Sequence, residues 1–329
     1  MTMTLILPSL VLLVGLALLV WSSDIFIDGA ASTATHLNIS PLIIGVVVLG
    51  FGTSAPEVLV SILASIDNSP GLAVGNVIGS NIANIGLVLG ITALISPIVV
   101  KSSLLKREFP ILLVVSILGL FLLLDHELGR LDGIILIGML IFVMAWMIKA
   151  NKAVDKHDPL VEETIEEIKD LPQLSLKKSI ILLLIGLVIL IASAKLMVWG
   201  AVEIAQYFEV PDLIIGLTIV AVGTSLPELA AAISAAKKDE SDLMIGNILG
   251  SNLFNLLAVM AMPALIDPSP VDNSTLIIDY PVMLGMTLAM LIVALPRNGS
   301  AVITRAEGMI LTLSYLGYLG LLYYRMVHP

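Results

Sequence analysis

The chain has 329 residues, 58% of them apolar and 13% charged, with a net charge of −10 and no cysteine. A soluble domain carries about 25% charged residues. Together with a mean hydropathy of +1.07, this excludes a soluble globular protein, and the acidic balance argues against a nucleic-acid partner. The missing cysteines remove disulfides and thiolate metal sites.

Apolar stretches of roughly 16–25 residues, each long enough to cross a bilayer core as a helix, are predicted near 5–23, 42–66, 72–96, 109–124, 133–150, 179–202, 213–236, 243–266, 280–295 and 306–324. The first has no basic leader and no small-residue cleavage site, so it reads as a retained helix. Ten spans leave little chain for anything else. The expected fold is an all-α polytopic membrane protein without a sizeable soluble domain.

Lys and Arg fix the expected orientation. One set of loops (24–41, 98–108, 151–178, 237–242 and 296–305, with Lys149 at an edge) holds 13 basic residues, whereas the opposite side holds only Arg130 and Arg325. The first set is therefore expected in the cytoplasm and both termini outside. The outer side gathers Asp125, Glu127, Asp132, Glu203, Glu209, Asp212, Asp267, Asp272 and Asp279. These read as solvated loop residues, or as an acidic surface that concentrates cations.

The chain repeats itself. Gly52-Thr53-Ser54-Ala55-Pro56-Glu57 returns as Gly223-Thr224-Ser225-Leu226-Pro227-Glu228, and Gly75-Asn76-Val77-Ile78-Gly79-Ser80-Asn81-Ile82-Ala83-Asn84 returns as Gly246-Asn247-Ile248-Leu249-Gly250-Ser251-Asn252-Leu253-Phe254-Asn255. Both pairs are offset by 171 residues, and residues 42–97 align without gaps to 213–268 with 23 identities in 56 positions. The expected organisation is a first five-helix repeat at 1–150 (core 42–97), a cytoplasmic linker at 151–178, and a second five-helix repeat at 179–329 (core 213–268). Five spans is an odd number, so the second repeat enters from the opposite face. Inverted repeats of this kind are typical of secondary transporters, with the substrate site near the midplane between them.

Each motif places a carboxylate beside a proline inside an apolar run, where ionisable groups are costly and default to function. Pro56 and Pro227 have no N–H for the carbonyls of Gly52 and Gly223. Backbone oxygens near Gly50–Thr53 and Ala221–Thr224 are then available as ligands, as helix breaks at membrane depth permit where they line a cavity. Thr53 and Ser54 precede Glu57 by one helical turn, as Ser80 and Asn81 precede Asn84. Thr224, Ser225 and Glu228, with Ser251, Asn252 and Asn255, repeat the pattern. The inventory is carboxylate, hydroxyl, amide and carbonyl oxygen, a hard set suited to Na⁺ or Ca²⁺ and not to zinc or copper. Gly75, Gly79, Gly246 and Gly250 read as close helix packing. Two ionised glutamates balance one Ca²⁺ or two Na⁺, so these loads compete for one cavity, and protons are expected to compete when it is empty.

At these residues the chain resembles the cation/Ca²⁺ exchanger superfamily, in particular the compact prokaryotic Na⁺/Ca²⁺ exchangers, over essentially its whole length. The resemblance implies ion binding at Thr53, Ser54, Glu57, Ser80 and Asn84 and at Thr224, Ser225, Glu228, Ser251 and Asn255, with carbonyl ligands at Gly50, Thr53, Ala221 and Thr224. It implies Na⁺/Ca²⁺ antiport across a prokaryotic cell membrane, with no cofactor, enzymatic activity or protein partner. H⁺/Ca²⁺ antiport by the same glutamates is the alternative. Some relatives, K⁺-dependent ones among them, place Asp where Asn255 stands, and its absence here argues against K⁺ co-transport. Spans one and six resemble the family's mobile gating helices. They carry Asp24, Asp28 and Lys195, with Asp24 and Lys195 at equivalent repeat positions and read as interfacial anchors or as partners of the core.

Overall fold

The computed structural model describes residues 2–37, 54–100, 102–152, 174–237, 241–296 and 301–328. Residues 42–53, with Gly50 and Thr53, and most of the predicted linker lie outside the described residues.

The described chain is predominantly helical, as its unbroken apolar runs require. In order, it forms α1 (Thr2–His36), α2 (Ala55–Ile66), α3 (Pro70–Ile95), β1 (Ile98–Val99), α4 (Ser102–Leu122), β2 (Glu127–Leu128), α5 (Arg130–Lys152) and α6 (Leu176–Tyr207). The second part forms α7 (Asp212–Thr224), α8 (Leu226–Lys237), α9 (241–266), β3 (Ser269–Pro270), α10 (Thr275–Ala294), β4 (Val302–Ile303) and α11 (Arg305–Val327). Among the described residues five helices are long and apolar enough to cross a membrane, or six if the bent pair α7–α8 is one span. Helix α2 and the Glu108–Leu122 part of α4 are apolar but shorter.

Pro227 breaks the helix as its chemistry dictates. Ser225, between α7 and α8, has φ −85° and ψ 4°, and the two helices diverge by 40°. Ser54, which opens α2, has φ −88° and ψ 4°. The same backbone turn thus precedes both motif prolines. Each serine carbonyl still accepts from the residue after its motif glutamate, Val58 and Leu229, at 3.1 Å, so each helix resumes at once.

Close packing follows the glycines. A Cβ on Gly79 would lie 2.7 Å from the Ala221 side chain and 2.8 Å from Leu217, while Gly75 faces the Leu213 carbonyl and Gly216 that of Leu72. Helices α3 and α7 therefore touch backbone to backbone, as small residues allow in a bilayer. Helices α1 and α6 pair antiparallel along their length. Gly15 meets Ser193 and Met197, Gly29 meets Leu183, Gly186 meets Phe26, and Gly200 meets Pro8 and Leu12. A buried cluster including Leu12, Leu19, Leu190, Met197 and Val198 seats this pair on Ala55, Val60, Leu72 and Ile215. A larger core joins the remaining helices.

Two short antiparallel ladders close the connections. β1 pairs with β4 through Ile98↔Ile303 and Val99↔Val302. β2 pairs with β3 through Glu127↔Pro270 and Leu128↔Ser269. Since β3 lies 171 residues after β1, each ladder holds the chain leaving one repeated core.

One expectation is corrected. Asp279 is not a solvated loop residue: it is 0% exposed and lies within α10. Its Oδ1 accepts from Arg325 Nη1 at 2.7 Å and from the Tyr318 hydroxyl at 3.0 Å. Arg325, read from sequence as an outer-face base, is its ion-pair partner. A carboxylate at such a position persists because it is paired and hydrogen-bonded.

Candidate ion-binding site

The repeated motifs meet at the junction of α2, α3, α7, α8 and α9. Ser54, Glu57, Ser80, Asn84, Thr224, Ser225, Glu228, Ser251 and Asn255 are each 0% exposed. Ala221 is likewise buried. Polar side chains buried at this density need partners, and the hydrogen bonds they make run both within each repeat and between the two.

From the first repeat, Asn76 Nδ2 donates to the Glu57 backbone carbonyl at 3.2 Å and to Ser61 Oγ at 3.1 Å. Its Oδ1 accepts from Ser80 Oγ at 3.4 Å and from Thr224 Oγ1, on α7, at 3.2 Å. The Ser80 and Thr224 hydroxyl oxygens lie 3.3 Å apart. One step along, Asn84 Nδ2 donates to Asn252 Oδ1 at 3.0 Å. In the second repeat the Ser251 hydroxyl donates to Glu228 Oε1 at 3.4 Å. Glu57 and Glu228 themselves lie within range of each other's charge.

Several buried atoms find no partner among the described residues: Ser54 Oγ, both Glu57 carboxylate oxygens and Asn84 Oδ1 from the first repeat, and Ser225 Oγ, Glu228 Oε2 and both amide atoms of Asn255 from the second. These orphans occupy three positions, each present twice at the repeat offset, and Asn252 Nδ2 is a further unpartnered atom whose counterpart, Asn81 Nδ2, donates to the Val77 carbonyl. An unpaired buried group costs about 1–3 kcal/mol, and more when charged. A matched set of that kind is the chemistry of a cation cradle. Its oxygens include hydroxyl, amide and carboxylate types, which suit hard cations.

The sequence-predicted residues fare differently. Ser54, Glu57, Ser80, Asn84, Thr224, Ser225, Glu228, Ser251 and Asn255 all lie in this buried layer. The Ala221 carbonyl, expected to be freed by the helix break, already accepts from Ser225 N at 3.1 Å and from the Thr224 hydroxyl at 3.4 Å. The proline removes the donor for Gly223 and leaves the Ala221 bond intact. Gly50 and Thr53 lie outside the described residues.

Two features were missed. Asn76 is the hub of the cross-repeat network, and its signal was present: it stands four residues before Ser80, on one helix face. The second is a widening of the helices. Asn84 opens a π-helical turn over Asn84–Leu89, and Asn255 opens one over Asn255–Val259. The Met260 N–H bonds to the Asn255 carbonyl, five residues back, at 3.0 Å. Such turns concentrate at functional sites, but nothing in the local composition announces them.

Comparison with known proteins follows the same outline. The sequence profile described as "Sodium/calcium exchanger protein" matches residues 7–149 and 178–324. The chain is 45% identical over 311 residues to "Putative antiporter CaxA" of Alkalimonas amylolytica, covering 94% of this chain and 97% of that protein. It is 31% identical to "Sodium/calcium exchanger MaX1" of Methanosarcina acetivorans, covering 96% and 98%. A solved structure of the sodium-calcium exchanger NCX_Mj, soaked with Na⁺ and Sr²⁺, superposes with a TM-score of 0.66 at 34% identity, covering 96% of this chain and 98% of that one.

Proposed function

The chain belongs to the sodium/calcium exchanger protein family, and from that premise we propose that it exchanges Na⁺ for Ca²⁺ at one midplane site built from both repeats, with Glu57 and Glu228 as its charged ligands. Ser54, Ser80, Asn84, Thr224, Ser225, Ser251 and Asn255, with Thr53 and the Gly50 carbonyl, complete the proposed set, and the Ala221 carbonyl, which already accepts twice, joins it only by giving up one of those bonds. It is a multi-pass membrane antiporter and not an enzyme, and it uses no cofactor.

The observation that carries this reading is the matched set of orphaned oxygens at Ser54/Ser225, Glu57/Glu228 and Asn84/Asn255. Two carboxylates supply −2 when ionised, which one Ca²⁺ or two Na⁺ neutralise. Neither load fits beside the other without excess charge in a low-dielectric cavity, so one displaces the other, and displacement at a site open to one side at a time couples the two fluxes.

The access scheme rests on ten spans arranged as two inverted repeats, 1–150 and 179–329, joined by the 151–178 linker. Counterpart helices α1 and α6 run antiparallel, which supports the inversion. They lie at the edge of the core, seated on it by a separate cluster, and that placement suits helices that slide to expose the site. The protein is placed in a prokaryotic cell membrane with both termini outside.

The test is Ca²⁺ uptake into proteoliposomes with internal pH clamped. A Na⁺ gradient is expected to drive ⁴⁵Ca²⁺ uptake, and external acidification to slow it by protonating the empty pair of carboxylates. Uptake indifferent to Na⁺ but driven by a proton gradient would replace this reading with H⁺/Ca²⁺ antiport. Unitary currents would indicate a channel.

A further inference from the structure

We infer that Asn76 is a positioning residue that turns the hydroxyl oxygens of Ser80 and Thr224, one from each repeat, toward the transported cation. This rests on the ion site proposed above. A hydroxyl ligates a cation through a lone pair, so its proton must point elsewhere and needs an acceptor there. In a dry site an undirected hydroxyl presents its proton to the ion in some of its orientations, and those orientations repel it.

The geometry supplies one acceptor for two protons. Ser80 Oγ donates to Asn76 Oδ1 at 3.4 Å and Thr224 Oγ1 at 3.2 Å, the Ala221 carbonyl at 3.4 Å being the longer of the two acceptors within reach of the Thr224 proton. The amide is held in the orientation this requires, because its nitrogen donates to the Glu57 carbonyl and to Ser61 Oγ. Flipping it would set oxygen against the Glu57 carbonyl and N–H groups against both ligand hydroxyls. An asparagine side chain offers two N–H donors and two lone pairs, and all four are engaged here. Asn76 therefore has no oxygen lone pair left for an ion. It acts through its neighbours, and is no ligand itself.

The device is built once in this form. The counterpart of Ser61 in the second repeat is Ala232, so the second donor contact that fixes the Asn76 amide cannot be reproduced there. The counterpart asparagine, Asn247, is also less deeply buried than Asn76. Fixing the two hydroxyls in advance lowers the reorganisation needed when an ion enters.

The test is ⁴⁵Ca²⁺ binding to the purified, detergent-solubilised full-length chain. Asn76→Leu, similar in volume but without polar atoms, is expected to raise the Ca²⁺ half-saturation concentration about tenfold or more, as the loss of a directed polar contact predicts. In a Ser80→Ala background the same change should cost at least about threefold less, because its target hydroxyl is gone. A merely structural asparagine would give additive losses, and additivity overturns the inference. If the leucine variant does not yield monodisperse protein, Asn76→Asp, which keeps an acceptor oxygen, asks the same question: affinity within about threefold of wild type supports the role, and a tenfold loss overturns it. Wild-type protein without a Na⁺-displaceable Ca²⁺ site would remove the ion site itself and the orienting role with it.

Discussion

Helices α1 and α6 differ from helices α3 and α9 in a way that reverses the order familiar from soluble proteins. The spanning windows of α1 and α6 have mean hydropathies of 2.5 and 2.8, yet only 28% of each is buried. Those of α3 and α9 have lower values, 1.8 and 1.7, and are 78% and 83% buried. The less apolar helices are the more enclosed. In water, burial follows hydrophobicity. In lipid the tails are as apolar as leucine, so no hydrophobic force sorts one helix from another. What does the sorting is the need of polar atoms for partners. Asn76, Ser80, Asn84, Ser251, Asn252 and Asn255 have to face protein, and they carry α3 and α9 inward with them.

The contrast can be tested at three strengths. The largest effect is expected where charge sits deepest. Glu57→Gln and Glu228→Gln should each reduce exchange by about a hundredfold or more, since each removes a charged ion contact of some 3 kcal/mol, while the protein still inserts. Substantial flux in either variant would undo the assignment of the carboxylates. The next effect concerns the Asp279–Arg325 ion pair, away from the site. Arg325→Leu leaves Asp279 enclosed with only Tyr318 and should lower stability by about 3 kcal/mol, measured as the midpoint of denaturant-induced unfolding in detergent. An unchanged midpoint would show that Asp279 is not held by its charge partner. The last test reads a difference between two truncations, of which the one on α1 has the smallest effect, and separates the two helix classes directly. Leu13 on α1 is 63% exposed and Leu72 on α3 is 0% exposed. Leu13→Ala should cost under about 0.5 kcal/mol, and Leu72→Ala about 2–5 kcal/mol. Equal costs would mean that α1 is covered by something other than lipid.

Much of this architecture is legible in the residues because a bilayer tolerates so few backbone solutions. Pro227 forced a helix break, and the same turn appears at Ser225 and, before Pro56, at Ser54. Glu57 and Glu228 stood out because nothing in their own runs neutralises them. Asp279 misled for a related reason. It sits at the edge of an apolar run, where a loop carboxylate looks the same, and its cation lies 46 positions away. The β ladders escaped because two-residue strands leave no periodicity, and their partners are joined only in space. Asn76 was visible as part of a repeated Gly-Asn step, but its role depends on Thr224 from the other repeat. A one-dimensional pattern shows what each helix carries and not which groups it will find across the interface.

The π-helical turns at Asn84 and Asn255 have a consequence for phase. Downstream of Asn84, α3 must present Gly86 and Gly90 to Tyr315 and Thr312 on α11, while upstream it presents Gly75, Asn76 and Gly79 to α7 and the site. A uniform 3.6-residue spiral offers one angular relation between those faces, and the extra residue in the wide turn supplies a different one. A wide turn takes up one residue without turning the helix further, so every residue after it sits about 100° behind its place in a uniform helix of the same sequence. Closing the turn into regular α-helix while keeping all its residues would leave the length and composition of α3 almost unchanged. It would carry Gly86 and Gly90 round the axis and away from α11, like a screw whose thread has slipped by a fraction of a pitch.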